Sequence, residues 1–246
     1  MKALLLIVAL SMPSWATWTL TQVASNNACT NITTCAVTVT STGAGHLLVF
    51  GLIATVASTT ISSVTSGACS VAWAHPAGTN GTGTGSVDLF YCTNSVTAQT
   101  SITVTANQAM GNNSIAVVWE ANSTLGSIAI DSGATPAGLS PTATCTACAG
   151  KALTLSGNNN FIAGVANCGG TCSAVTGTGF TNDLTNPLGD GVMHGITSGS
   201  VTAPATWTQT SGVMLANAAA FTEASGGAAA AIGVDKRRKL QKLGVL

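Results

Sequence analysis

Between Thr17 and Val234 the chain carries one cation, Lys151, against six carboxylates: Asp88, Glu120, Asp131, Asp183, Asp190 and Glu223. A surface helix needs a charged or polar stripe opposite its apolar one, and helical bundles and coiled coils build that stripe largely from Glu, Lys and Arg. Charged residues are 6% of this sequence, where a soluble domain carries roughly 25%. Thr, Ser, Asn and Gly fill the polar positions instead. Thr is β-branched and favours extended backbone without bringing charge. The chain is therefore expected to be all-β.

The apolar pattern agrees. Trp18 to Val23 reads WTLTQV, Ala36 to Thr40 reads AVTVT and Ser101 to Thr105 reads SITVT. Alternation with period two describes a strand with one wet and one buried face. Other runs are apolar on both faces: His46 to Ile53 (HLLVFGLI), Ser114 to Trp119 (SIAVVW) and Phe161 to Val165 (FIAGV). These are expected in the middle of a sandwich. Gly, Asn, Ser and Thr punctuate the runs at short intervals, and no clean sequence repeat is evident. The expected fold is a single antiparallel β-sandwich, jelly-roll-like and stapled by disulfides, over residues 17 to 225.

Both ends differ from this body. Residues 1–16 (MKALLLIVALSMPSWA) place a basic start, an apolar stretch and small residues at Ser14 and Ala16 in signal-peptide order, with Thr17 as the first mature residue. No later stretch reaches the ~18 apolar residues a spanning helix needs. Five of the seven cations lie in the tail: Lys236, Arg237, Arg238, Lys239 and Lys242. Gly226 and Gly227 read as a hinge, so residues 226–246 form a Gly/Ala hinge and basic tail. That tail either keeps a nearly uncharged protein soluble or docks on an anionic surface. The body lacks the cations that duplex nucleic acid requires.

Eight cysteines follow the leader: Cys29, Cys35, Cys69, Cys92, Cys145, Cys148, Cys168 and Cys172. An even count in an exported chain favours disulfides. Reflecting strands about a turn near Asn80 sets Cys69 opposite Cys92. A hairpin of residues 151–156 with 161–166 would set Cys145 opposite Cys172 and Cys148 opposite Cys168. Cys29 and Cys35 would close their own short loop. The rival reading is zinc, because Cys145-x2-Cys148 and Cys168-x3-Cys172 resemble two knuckles of a ribbon.

The order of several segments resembles a known type of domain. These are Gly45 to Leu52 (GHLLVFGL), Val87 to Cys92 (VDLFYC), Ser101 to Thr105, Ala116 to Glu120 (AVVWE), Gly157 to Ala163 (GNNNFIA), Ala205 to Thr208 (ATWT) and Ala218 to Phe221 (AAAF). Together they resemble uncharacterised jelly-roll-like β-sandwich domains of secreted bacterial and phage-associated proteins. The resemblance spans residues 17 to 225 and implies a fold and an extracellular setting. It transfers no catalytic residue, and the cysteines are an addition to it.

Tools for catalysis are few. His46, His75 and His194 each sit at a strand end or among apolar neighbours, and read as structural. Glu120 and Glu223 are the only glutamates, and glycoside cleavage would need them about 5–9.5 Å apart. The loop from Asn182 to Asp190 is rich in oxygen and is a candidate for Ca2+, although it lacks the order of a calcium loop. Trp73 and Trp207, with Trp18 a weaker third, are candidates for stacking on sugar; Trp119 reads as core. The first expectation is a secreted, non-catalytic structural or adhesion protein of an extracellular or virion surface, with no cofactor. Its partner would be another copy of itself or a polysaccharide. The alternatives are a carbohydrate-binding module and a glycan hydrolase.

Overall fold

A computed structural model describes residues 17–64, 67–76, 81–82, 85–124, 126–131, 145–149, 153, 155, 159–176, 179–183, 189–197 and 206–223. Residues 1–16, expected as a leader, residues 226–246 with Lys236, Arg237, Arg238, Lys239 and Lys242, and the turn expected at Gly157 and Asn158 lie outside them. The described elements are all strands. The first eight are β1 (Trp18–Asn26), β2 (Thr34–Thr38), β3 (Leu47–Ala54), β4 (Ile61–Val64), β5 (Gly81–Thr82), β6 (Ser86–Cys92), β7 (Ser101–Ala106) and β8 (Ile115–Ser123). The second eight are β9 (Ile128–Ile130), β10 (Cys145–Ala149), β11 (Asn160–Cys168), β12 (Cys172–Thr176), β13 (Phe180–Asn182), β14 (Gly191–Thr197), β15 (Thr206–Gly212) and β16 (Met214–Glu223).

The strand order repeats. One five-stranded sheet runs β1-β8-β3-β6-β5, and the other, read from its far edge, runs β9-β16-β11-β14-β13. Adding eight to each label of the first gives the second. The same shift turns the three-stranded sheet β2-β7-β4 into β10-β15-β12. Every ladder is antiparallel. Pairing of a first strand with an eighth, and of a third with a sixth, is the Greek-key order of a jelly roll. The chain is one all-β sandwich domain built from two jelly-roll units.

Three apolar layers hold four sheets in register. Leu48, Phe50, Leu52 and Val118 of the first inner sheet pack against Val37, Ile102 and Val104 of its outer sheet. The opposite face of the same strands, through Leu47, Val49, Ile53 and Trp119, packs on Phe161, Ala163, Val165 and Phe221 of the second inner sheet. Ile162, Ala166, Met193 and Met214 then face Cys148 and Trp207 of the second outer sheet. Alternate side chains of a strand point to opposite faces, so β3 must be apolar throughout, and all of it is buried. β2 belongs to an outer sheet and alternates exposed and buried positions. Runs apolar on both faces therefore form the inner sheets.

Glycine sets the closeness of the seam between the inner sheets. A Cβ on Gly51 would lie 2.8 Å from Val165 Cγ1 and 2.9 Å from Val117 Cγ1. Amide side chains of β1 reach the backbone of β2 and of Thr40 beyond it. Gln22 Nε2 donates to the Thr40 carbonyl at 2.8 Å, and Gln22 Oε1 accepts the Thr40 N–H at 2.8 Å. Asn26 Nδ2 donates to the Ala36 carbonyl at 2.7 Å. β2 is an edge strand of its sheet, and an edge carbonyl met by a side chain is one fewer group offered to a foreign strand.

The disulfides Cys29–Cys35 and Cys69–Cys92 form as the spacing predicts. The other two predicted pairs do not. Cys168 bonds Cys172, with Cα atoms 5.9 Å apart, which removes both Cys145 with Cys172 and Cys148 with Cys168. The reason is topological: β11 pairs with β14 and β16 rather than with a strand at 151–156. Cys168 ends β11 and Cys172 opens β12, so a tight link between sheets brings the two together. Cys148 is also disulfide-bonded.

Candidate functional site

The three histidines share one device. Each places a ring nitrogen 2.6 Å from a buried carboxylate: His46 Nδ1 on Glu120 Oε1, His75 Nε2 on Asp88 Oδ1, and His194 Nδ1 on Asp183 Oδ1. A carboxylate taken out of water needs several donors to compensate its lost hydration. Glu120 is fully buried. Its Oε1 also accepts the Gly43 N–H at 2.7 Å, and its Oε2 accepts from Gln22 Nε2. Asp88 is equally buried and accepts the Ile61 and Leu89 N–H groups at 2.7 and 2.9 Å.

Local sequence makes these pairs possible. His46 lies directly before β3, beside β8, which carries Glu120. Gly43 leaves room for its ring, because a Cβ there would sit 2.2 Å from His46 Cε1. Ser95 is close but does not meet the ring. Its Oγ accepts the His46 main-chain N–H at 2.9 Å and donates to the Gly43 carbonyl at 2.6 Å. It holds the turn and leaves the imidazole to Glu120. His75 packs edge-on against Phe90 at 4.9 Å.

The third pair lies at the seam. Asp183 Oδ2 accepts from Trp119 Nε1 at 2.7 Å, which joins the first inner sheet to the segment after β13. His194 lies parallel to Phe161, at an interplanar angle of 15°. Three more bonds cross between the units. Trp18 Nε1 donates to the Asn159 carbonyl at 3.4 Å, Asn167 Nδ2 donates to the Ala54 carbonyl at 3.0 Å, and Ser123 Oγ donates to Glu223 Oε1. Hydrogen bonds thus bridge the two units around an apolar centre, although Glu223 Oε2 is buried without a partner.

The sequence candidates fall out as follows. Trp207 is 2% exposed and packs in the second outer core. A Cβ on Gly191 would come within 2.4 Å of its ring, so neither face is open to a sugar. This overturns Trp207 as a stacking platform. Trp18, at 5% exposed, is closed as well. Trp73 is half-buried against the first outer core, and its indole N–H is buried without a partner. Trp119 is core, as expected, but its N–H carries a seam bond that its apolar neighbours concealed.

Glu120 and Glu223 do not face one site. By the alternation along β8, Glu120 points toward the first outer core, whereas Glu223 points into the seam and holds Ser123. In the loop proposed for Ca2+, Asp183 is spent on His194 and Trp119. Asp190 accepts the Cys168 N–H at 3.3 Å; residues 184–188 lie outside the described set. Burial pushes the Asp190 carboxyl up to about 7, against the smaller opposing effect of that N–H. Among the described residues no three His, Cys, Asp or Glu side chains gather where they could hold a metal ion. The sulfurs of Cys168 and Cys172 are bonded to each other rather than free as zinc-binding thiolates.

No family model, curated protein or solved structure matches the chain. Among the described residues no helix is long and apolar enough to cross a membrane. That and the disulfides are compatible with an extracellular protein.

Proposed function

We propose that the chain is a secreted, non-catalytic structural and adhesion component of an extracellular or virion surface, working as a rigid building block. One observation carries this reading: two jelly-roll units share a single apolar seam that is bridged by hydrogen bonds such as Trp119 to Asp183. The histidines, which would serve acid–base chemistry, are engaged with buried carboxylates. The outer strands are rich in Thr and Ser, a neutral hydrogen-bonding composition suited to packing against copies of the same chain or against polysaccharide. The resemblance to secreted bacterial and phage-associated jelly-roll domains points the same way. The basic tail supplies a docking element for an anionic partner.

The test is the solution mass of the secreted protein starting at Thr17, by light scattering, with and without residues 235–246. The reading predicts an ordered assembly that depends on the tail. A monomer in both forms contradicts it.

A second reading keeps one observation of its own. Trp73 keeps part of its ring exposed, which suits a carbohydrate-binding module. Its fluorescence would shift on addition of a recognised polysaccharide, and a silent panel of polysaccharides would remove it.

A further inference from the structure

The link between β11 and β12 differs from the other described disulfides in its exposure. Cys168 and Cys172 are both half-buried, whereas Cys29, Cys35, Cys92 and Cys148 are each 2% exposed or less. Cys168–Cys172 is the only described pair with neither residue fully buried. Its loop is also held by bonds that do not involve sulfur. The Cys168 N–H donates to Asp190 Oδ1 at 3.3 Å, the Gly169 N–H to the Val213 carbonyl at 2.7 Å, and the Gly170 N–H to Gln209 Oε1 at 3.3 Å. The Thr171 N–H donates to Thr210 Oγ1 at 3.0 Å, and the Cys172 N–H to the Gly189 carbonyl at 2.6 Å.

All five peptide N–H groups of the loop thus reach neighbours outside it. The glycines make this approach possible: a Cβ on Gly170 would sit 2.0 Å from the Thr210 carbonyl oxygen. A disulfide whose cysteines are positioned by other bonds can open and close without its loop unfolding. Exposure then decides whether a thiol reaches it.

We infer that Cys168–Cys172 is a reversible thiol–disulfide exchange site, open to small extracellular dithiols and placed on the link between the second inner and outer sheets. In the exchange, a thiolate of the dithiol attacks one sulfur and the Cys168–Cys172 bond breaks. The other sulfur leaves as thiolate and takes a proton from solvent. The dithiol's second thiolate then attacks the mixed disulfide. It closes the dithiol's own disulfide and releases the second cysteine, which is protonated in turn. Two electrons and two protons pass from dithiol to protein.

The test titrates the folded, oxidised protein with dithiothreitol, traps free thiols with iodoacetamide and maps the labelled peptides by mass. Cys168 and Cys172 take label at a dithiol concentration about tenfold below that needed for Cys69 and Cys92. Circular dichroism stays native, and removal of the dithiol restores the same pair. Labelling of Cys69 and Cys92 first, or of all cysteines together with loss of the β signal, overturns the inference. A double variant, Cys168→Ser with Cys172→Ser, is a second test. It is expected to fold with native circular dichroism and with no early-labelled peptide. If it fails to fold, the disulfide and not the peptide bonds holds the loop, and the inference is wrong.

Discussion

Trp119 Nε1 donates to Asp183 Oδ2 at 2.7 Å across the seam between the two jelly-roll units, over a separation of 64 residues. Asp183 gives its other oxygen to His194, so one buried carboxylate joins the first inner sheet to the second. Trp119→Phe keeps most of the ring volume and removes the N–H. Leaving Asp183 short of a donor is expected to cost about 1–3 kcal/mol. Calorimetry reads this as a loss of roughly 2–4 °C in Tm per kcal/mol for a domain of this size. An unchanged Tm would show that the bond contributes nothing to the seam.

Gly51→Ala tests how closely the sheets approach. The added methyl meets Val165 and Val117 at less than 3 Å, and neither β-branched side chain can swing aside within a packed strand. Overpacking of this kind costs about 1–3 kcal/mol. Denaturant unfolding should show a lower midpoint with an unchanged slope. A neutral substitution would mean that the inner sheets are looser than the distances indicate.

His46→Ala probes the buried pairs. Glu120 would keep Gly43 and Gln22 but lose the ring that lies 2.6 Å from it. Removing one partner of a hydrogen bond to a buried carboxyl group is expected to cost about 1–3 kcal/mol. On the proposed function, the variant still assembles at a temperature where it remains folded. Loss of assembly by a folded His46→Ala protein would make His46 a functional group rather than a structural one.

Asp190 gives stability a pH dependence of defined sign. Its folded pKa is raised from 3.8 to about 7, so between those values the folded state holds a proton that the unfolded chain has released. The contribution is fully present below about pH 4 and is lost as pH rises through about 7, by at most on the order of 4 kcal/mol. Asp190→Asn should therefore match the wild type near pH 4 and be the more stable protein at pH 8. Melting curves that stay parallel across that range would exclude the effect.

Much of the fold is legible in the sequence because burial dictates side-chain periodicity. HLLVFGLI reads as a strand covered on both faces, and β3 is one. AVTVT and SITVT read as half-wet strands and lie in the first outer sheet, or run into it. The tandem repeat is not legible. β3 and β11 occupy equivalent places, yet LLVFGLIA and NFIAGVANC share an apolar pattern rather than residues, and sheet packing constrains that pattern alone. Trp207 is misread for a related reason. The Thr on either side of it suggests a wet strand, but the space above Gly191, distant in sequence, receives its ring. Pairing of Cys168 with Cys172 depends likewise on β11 choosing partners far along the chain, which no local turn signal reveals.

The rigid building block rests on the two units being one body, and calorimetry of the oxidised protein tests that most directly. A shared core of Trp119, Phe161, Val165 and Phe221 predicts a single unfolding transition with equal calorimetric and van't Hoff enthalpies. Two resolved transitions, or a calorimetric enthalpy near twice the van't Hoff value, would mean that each jelly roll melts alone and that the seam does not bind them.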